Sequence, residues 1–235
     1  MSNPILFKLI DKCVYDYNLI QKGDRILVGA SGGKDSTALI EYFSFLQKRN
    51  SSDFVFTALN IQSEFGGPLP DNIVKLFDKW NVDLKVKCVD VQGRLKDGKK
   101  MSCYWCSTQR RVELINYAME HGYNKIALGH HMDDVLETLL MNMIDKAELS
   151  TMTPLLQYQN YPVSIIRPLS YCPVETIIEH AETNGYIGWT CTCDFQSNSK
   201  RKDARKRLLA LTDGNPIKKK HLFMALKNIE KDYLP

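Results

Sequence analysis

Apolar positions along this chain recur with two alternating periods. Between residues 4 and 17, Ile5, Leu6, Leu9, Ile10, Cys13, Val14 and Tyr17 fall three and four apart, which predicts an amphipathic helix. Residues 26–29 (ILVG) form a short continuous apolar run, a buried strand. From residue 34 the helical period returns with Ala38, Leu39, Tyr42, Phe43 and Leu46 on one side. A second strand is predicted over 53–60, rich in β-branched and aromatic residues. After the turn-rich stretch 65–70, Asp71 caps a helix carrying Ile73, Val74, Leu76, Phe77 and Trp80. A third strand is predicted over 84–91, and the polar, basic segment 93–100 reads as a mobile surface loop. A helix then follows Cys103 and Cys106 to about residue 121, with Val112, Leu114, Ile115 and Ala118 inward and Gly122 as its left-handed cap. A fourth strand covers 125–129, and the next helix carries Val135, Leu136, Leu139, Leu140 and Met143. A fifth covers 164–167, closed by Pro168. Pro173 suits the first turn of a last helix through Ile177, Ile178 and Ala181. Strands alternating with helices at this spacing predict an α/β fold, a parallel five-stranded sheet with helices on both faces.

Length and charge refine that picture. With 235 residues the chain accommodates one substantial α/β core and a small appended module. The split falls near Cys191: an α/β domain over 1–190 with its N-terminal helix, and a basic helical segment over 191–235 packed on it. Residues 200–235 hold eleven Lys/Arg against four Asp/Glu, a net of +7, while the rest of the chain is at −3. A basic tail on a mildly acidic body fits either a polyanionic partner, most simply nucleic acid, or a solvated helix face. No apolar run is long enough to cross a bilayer, and the first residues lack a signal-peptide layout, so the cytoplasm is the expected location and no membrane partner is expected. The seven cysteines are then expected as reduced thiols or metal ligands rather than disulfides.

In an open parallel sheet ligands gather beyond the carboxyl ends of the strands. The first such end reads Ser31-Gly32-Gly33-Lys34-Asp35-Ser36 and opens a helix. Glycines let backbone amides approach a ligand closely, the helix start adds unpaired N–H groups, and the hydroxyls and Lys34 complete a phosphate cradle. The spacing is neither that of G-x-x-x-x-G-K-[ST] nor that of G-x-G-x-x-G. At the fourth strand end, Gly129-His130-His131-Met132-Asp133-Asp134 places two acids at a helix mouth, where they could hold Mg²⁺ on phosphates or cap the helix. Cys103-Tyr104-Trp105-Cys106 and Cys191-Thr192-Cys193 offer thiolates from two distant segments, suited to an Fe–S cluster with one iron left open. Cys13, Cys88 and Cys172 stand in apolar or strand-end contexts and read as core or incidental.

The hexapeptide 31–36 resembles the PP-loop of the ATP pyrophosphatase superfamily, which implies a Rossmann-like, adenine nucleotide alpha hydrolase-like fold. With the C-x-x-C followed by Arg110-Arg111, the segment LGHHMDD-x-x-ET-x-x-x-N, IIRPL and a late cysteine three residues before Gln196, the chain is similar to the tRNA 2-thiocytidine synthetase family from about residue 23 to 207. That resemblance implies a cytoplasmic ATP-dependent tRNA sulfurtransferase, AMP- and pyrophosphate-forming. It would adenylate the C2 oxygen of an anticodon-loop cytidine and replace it with sulfur. It implies ATP and Mg²⁺ at Ser31, Gly32, Gly33, Lys34, Asp35, Ser36 and Gly129, with Lys34, Asp35, Asp133 and Asp134 in catalytic roles. It further implies a [4Fe-4S] cluster on Cys103, Cys106 and Cys193, a homodimer, and sulfur from a cysteine desulfurase or free sulfide. The late pair here is C-x-C where the family has C-x-x-C, so Cys191 competes with Cys193, which the spacing to Gln196 favours. Arg110, Arg111, Lys200, Arg201, Arg205, Lys206 and Arg207 are the expected tRNA contacts. The alternatives are a 2-thiouridine or lysidine synthetase type of adenylating enzyme, and a non-catalytic ATP- or AMP-binding protein.

Overall fold

The computed structural model describes residues 3–49, 53–95, 98, 100–186 and 200–233. Among them, the apolar runs form β1 (Arg25–Gly29), β2 (Val55–Ser63), β3 (Leu84–Val89), β4 (Lys125–Ala127), β5 (Leu155–Gln157) and β6 (Ser164–Ile166). They lie in one sheet in the order β3-β2-β1-β4-β6-β5, parallel throughout except for the antiparallel β5–β6 pair. The helices are α1 (Ile5–Asp16), α2 (Lys34–Gln47), α3 (Asp71–Lys79), α4 (Cys103–Glu120), α5 (Met132–Lys146), α6 (Val174–Thr183), α7 (Lys200–Thr212) and α8 (Pro216–Ala225).

The central strands are buried on both faces, which is why they read as unbroken apolar runs rather than alternations. In β1, Ile26 and Val28 face a core shared with residues of α1, α2, α3, α5 and α6, while Leu27 faces a second core with Ile115 and Ala118 of α4. The strand order reverses between β1 and β4, so a crevice opens beyond their carboxyl ends. The C-terminal helices pack from the α5 side, where Leu208 of α7 and Phe223 of α8 join the first core.

The α/β class and the parallel sheet are as expected, with six strands in place of five. The extra strand, β5, is three residues long and half-exposed to exposed, too short to carry a period; pairing with β6 creates it. α4 begins at Cys103 rather than after Cys106, because Ser102 caps it by accepting from the Trp105 amide at 3.1 Å. Val112, expected inward, is 40% exposed; Ile115 and Ala118 are buried, and the other inward position nearby is the charged Glu113. Pro70 and Pro173 occupy the N-cap positions of α3 and α6, with Asp71 in the first turn instead of at the cap. Gly122 adopts φ +71°, as its capping position requires. No helix among the described residues is long and apolar enough to cross a membrane.

Candidate active site

The loop after β1 is held by its own side chains. The Ala30 amide donates to Leu59 O of β2 at 2.9 Å, and Asn60 Nδ2 donates to Ala30 O at 2.6 Å. Gly32 turns the chain at φ +82°, a conformation that costs glycine little. Ser36 Oγ accepts from the Ser31 amide at 3.2 Å, donates to Gly33 O at 3.0 Å and lies 2.9 Å from Ser31 Oγ. Gly33 is the N-cap of α2 and caps it with no side chain, so the first-turn amides stay available to a ligand. Lys34 Nζ lies 3.1 Å from the Asp35 carboxylate.

The second strand end locks against this turn. A Cβ on Gly129 would stand 3.0 Å from Ser36 N and 3.1 Å from Asp35 C, so any side chain here would have to push the backbone of the phosphate turn aside. His131 then caps α5, and Asp134 Oδ2 accepts from the His131 amide at 3.0 Å. The two neighbouring acids part company here. Asp134 faces the crevice and also accepts from Arg201 Nη1 at 2.9 Å. Asp133 points to the other side, accepting from the Val174 amide at 3.0 Å and from Lys219 Nζ at 2.6 Å.

The result is a cleft of about 370 Å³. Leu59 and Ile61 of β2, Leu114 of α4 and Leu128 form apolar walls; Ser31, Asp35 and Ser36 supply the polar floor; Arg110, Arg111, His130 and Asp134 complete the lining. One apolar flank beside one amide-rich turn suits a nucleobase and its phosphates.

Electrostatics sharpen the roles. Burial, aided by Arg167, Arg201 and Arg111 and opposed by Asp134, pulls His130 down to about 4, so its imidazole is neutral at physiological pH. Burial alone would raise the Asp134 carboxyl. His131, His130, the His131 amide and Arg201 outweigh it and hold the group below the usual carboxylate range. Asp134 is therefore an anion in the cleft, its charge met by Arg201 and its second oxygen by the His131 amide.

Most sequence-predicted residues meet here. Ser31, Asp35, Ser36, Gly129, Asp134, Arg110 and Arg111 line one cleft, with Gly32, Gly33 and Lys34 in the same turn. Asp133 does not reach it. Cys103 and Cys106 occupy the first turn of α4, whose next turns deliver Ser107, Arg110 and Arg111 to the cleft. Cys191, Cys193 and Gln196 lie outside the described residues. The tail cations are largely engaged elsewhere: Lys200 pairs with Asp145 at 2.8 Å, Arg201 with Asp134, and Arg205 with Glu137 at 2.7 Å. Lys206 and Arg207 are exposed on α7. Sequence reasoning missed His130 and the apolar walls, and it left Arg167 without a role. Arg167 alone carried a signal, a charged residue directly at the end of a buried strand.

Comparison with known proteins places these features. A family model described as the PP-loop domain matches residues 6–210. The tRNA-cytidine(32) 2-sulfurtransferase of Geotalea uraniireducens is 35% identical over 230 residues, covering 96% of this chain and 91% of that protein. Its counterpart in Dichelobacter nodosus is 36% identical over 234 residues, 97% of this chain and 87% of the relative. Among solved structures, the U34-tRNA thiolase NcsA from Methanococcus maripaludis with its [4Fe-4S] cluster aligns at a TM-score of 0.75 and 20% identity, covering 97% of this chain and 82% of that one. NMN synthetase from Francisella tularensis aligns at 0.56 and 13% identity, over 93% and 97% of the two chains. At these identities the structural neighbours speak for the fold.

Proposed function

We infer the function from one premise: the chain belongs to the PP-loop domain family, in the group of the tRNA-cytidine(32) 2-sulfurtransferases. It is an ATP-dependent tRNA sulfurtransferase that activates the C2 oxygen of a cytidine and replaces it with sulfur. The observation that carries this reading is the course of α4. One helix begins with two thiols and, within about three turns, supplies Arg110, Arg111 and Leu114 to a nucleotide-shaped cleft.

In that cleft the apolar walls take the adenine. The free amides at the start of α2 and Lys34 take the β- and γ-phosphates. Asp35 and Asp134, both beside the His131 ring, would hold a Mg²⁺, with Asp134 exchanging its Arg201 contact for the ion, and the ion would supply neutralisation of the phosphate charge. The cytidine O2 attacks the α-phosphorus and pyrophosphate leaves. Sulfide then adds at C2, and the former oxygen departs with AMP. His130 presents a neutral hydrogen-bonding ring beside Asp134, adding no charge that would compete for the metal. Asp133 acts as a structural anchor for Lys219 rather than as a ligand.

Cys103 and Cys106, one helical turn apart, project from the same face and fit two positions of a three-thiolate cluster site. With Cys193 as the third, a [4Fe-4S] cluster would supply one iron free to carry the incoming sulfur. A homodimer, a cytoplasmic location and sulfur from a cysteine desulfurase or free sulfide belong to the same reading, and family resemblance supports them.

The test uses anaerobically purified protein, ATP and tRNA, following pyrophosphate release and 2-thiocytidine separately. Asp35→Ala is expected to lose both. Cys103→Ser is expected to bleach the protein and lose 2-thiocytidine while ATP still binds. Undiminished pyrophosphate release by Asp35→Ala would move the adenylation site elsewhere.

A further inference from the structure

α4 connects β3 to β4, two strands of one parallel sheet, so it runs back along the sheet from the carboxyl ends of the strands, where the cleft lies. Its later turns pack Ile115 and Ala118 into the second core. Side chains seven or eleven residues apart on a helix point within about 20° of each other. Tyr104 and Arg111 therefore share the direction of Ile115, and Ser107 lies about 60° to one side. At Ile115 that direction meets the sheet; at Ser107 and Arg111 it meets the cleft, which both residues line. Tyr104 stands one turn nearer the helix start than Ser107 and is 82% exposed.

The other large rings on this helix are engaged. Trp105 Nε1 donates to Val91 O at 3.2 Å while its ring packs on the second core, and Tyr117 stacks on His121 with centroids 4.0 Å apart. The Tyr104 side chain makes no hydrogen bond and no ring contact among the described residues. Toward the cleft, Arg110 and Arg111 carry two positive charges with no carboxylate partner among the described residues. An exposed flat ring beside two such cations matches unpaired nucleic acid, whose bases offer π-faces and whose phosphates offer negative charge. A protein interface would ask for an apolar core around the ring, whereas Ser107 and Arg111, exposed on the same side of the helix, are polar and charged.

We propose that Tyr104 is a stacking platform for an unpaired base of the tRNA anticodon loop, a neighbour of the target cytidine, held there while the cytidine itself enters the cleft past Ser107 and Arg111. This deepens the thiolation reading above and rests on it. Tyr104 is a positioning residue: it touches the strand and not the reacting atoms. Its place between Cys103 and Cys106 puts the stacked base within one helical turn of both thiols, so the strand is fixed at the thiol end of the cleft.

The experiment titrates the full chain into an anticodon stem-loop RNA carrying 2-aminopurine, a base whose fluorescence changes on stacking, at one loop position at a time. Wild type is expected to change the signal at one position beside the target cytidine. Tyr104→Ala should lose that change and weaken binding about ten- to a hundredfold, the usual cost of removing a stacked ring, with ATP affinity within about twofold of wild type. Tyr104→Phe should keep both, because stacking uses the ring and not the hydroxyl. The position is exposed enough that neither variant risks the fold. Tyr15→Ala, equally exposed on α1 but outside the cleft, should change neither readout. An unchanged signal and affinity in Tyr104→Ala would overturn the platform while thiolation stands. So would a Tyr104→Phe chain that fails as Tyr104→Ala does, since the hydroxyl would then be the contact. Intact RNA binding with altered self-association in Tyr104→Ala would overturn it in favour of a second copy of the chain. A wild-type chain that binds no stem-loop at all would overturn the platform and the thiolation reading together.

Discussion

Two groups of cations in this protein use the same residue types to opposite ends. Around the cleft, Arg110 and Arg111 have no carboxylate partner among the described residues. On the C-terminal helices, Lys200, Arg201, Arg205 and Lys219 are each paired with a carboxylate of α5: Asp145, Asp134, Glu137 and Asp133. The first group is a smaller contribution to the sequence charge but is open to an anion. The second makes the tail basic, yet much of its charge is spent on docking the tail to the helix that carries Asp134. Charge count alone does not separate a nucleic-acid surface from a clamp; pairing does.

The comparison breaks most visibly at Lys219. Both partners of its pair are nearly sealed from water, Lys219 and Asp133 each at 5% exposure. Lys219→Met leaves a buried carboxylate with only the Val174 amide, and is expected to cost about 3–5 kcal/mol in urea denaturation. An unchanged denaturation midpoint would show that water reaches Asp133. Arg205→Met should be milder, about 1–3 kcal/mol, because Glu137 is buried but the arginine side chain is 66% exposed and Arg201 Nε stands 4.0 Å away as a substitute. Arg110→Gln with Arg111→Gln should leave stability within about 0.5 kcal/mol. The same double change should reduce the logarithmic salt slope of tRNA binding by about 1.4–1.8, two phosphate contacts' worth. A steady slope would put the cleft cations outside the RNA contact. Lys206→Gln with Arg207→Gln is expected to give the smallest effect, a slope change below about 1. A larger one would return the tail to the RNA-binding role that its charge alone implied.

A pH series tests the electrostatics of the cleft side of this comparison. His130 is held at about 4 in the folded chain, below its ordinary 6.5. The unfolded chain therefore takes up the proton first as pH falls, and binds more protons than the folded one between those values. The corresponding stability is fully present above about 6.5 and is lost as pH falls from there toward 4, by no more than about 1.4 kcal/mol per pH unit. His130→Gln should flatten that part of the profile. Equal slopes in both proteins would mean that His130 titrates freely in the native state.

The phosphate turn and the α/β alternation were determined locally. Adjacent glycines, one of them at φ +82°, and hydroxyls five residues apart that bond each other need only short-range geometry, so they are legible in the order of residues. The same holds for Gly122 at the C-terminal end of α4, since caps act over three or four residues. What the sequence left open depends on contacts made across the chain. Asp133 and Asp134 are indistinguishable as letters, and adjacent helical positions differ by about 100° in direction. The choice was made by Lys219, 86 residues away, drawing one acid inward, and by Arg201, 67 residues away, meeting the other at the cleft. β5 exists because β6 offers it a partner. Local geometry selects a turn or a helix; only packing determines which charges are buried, which are paired, and which are left for a ligand.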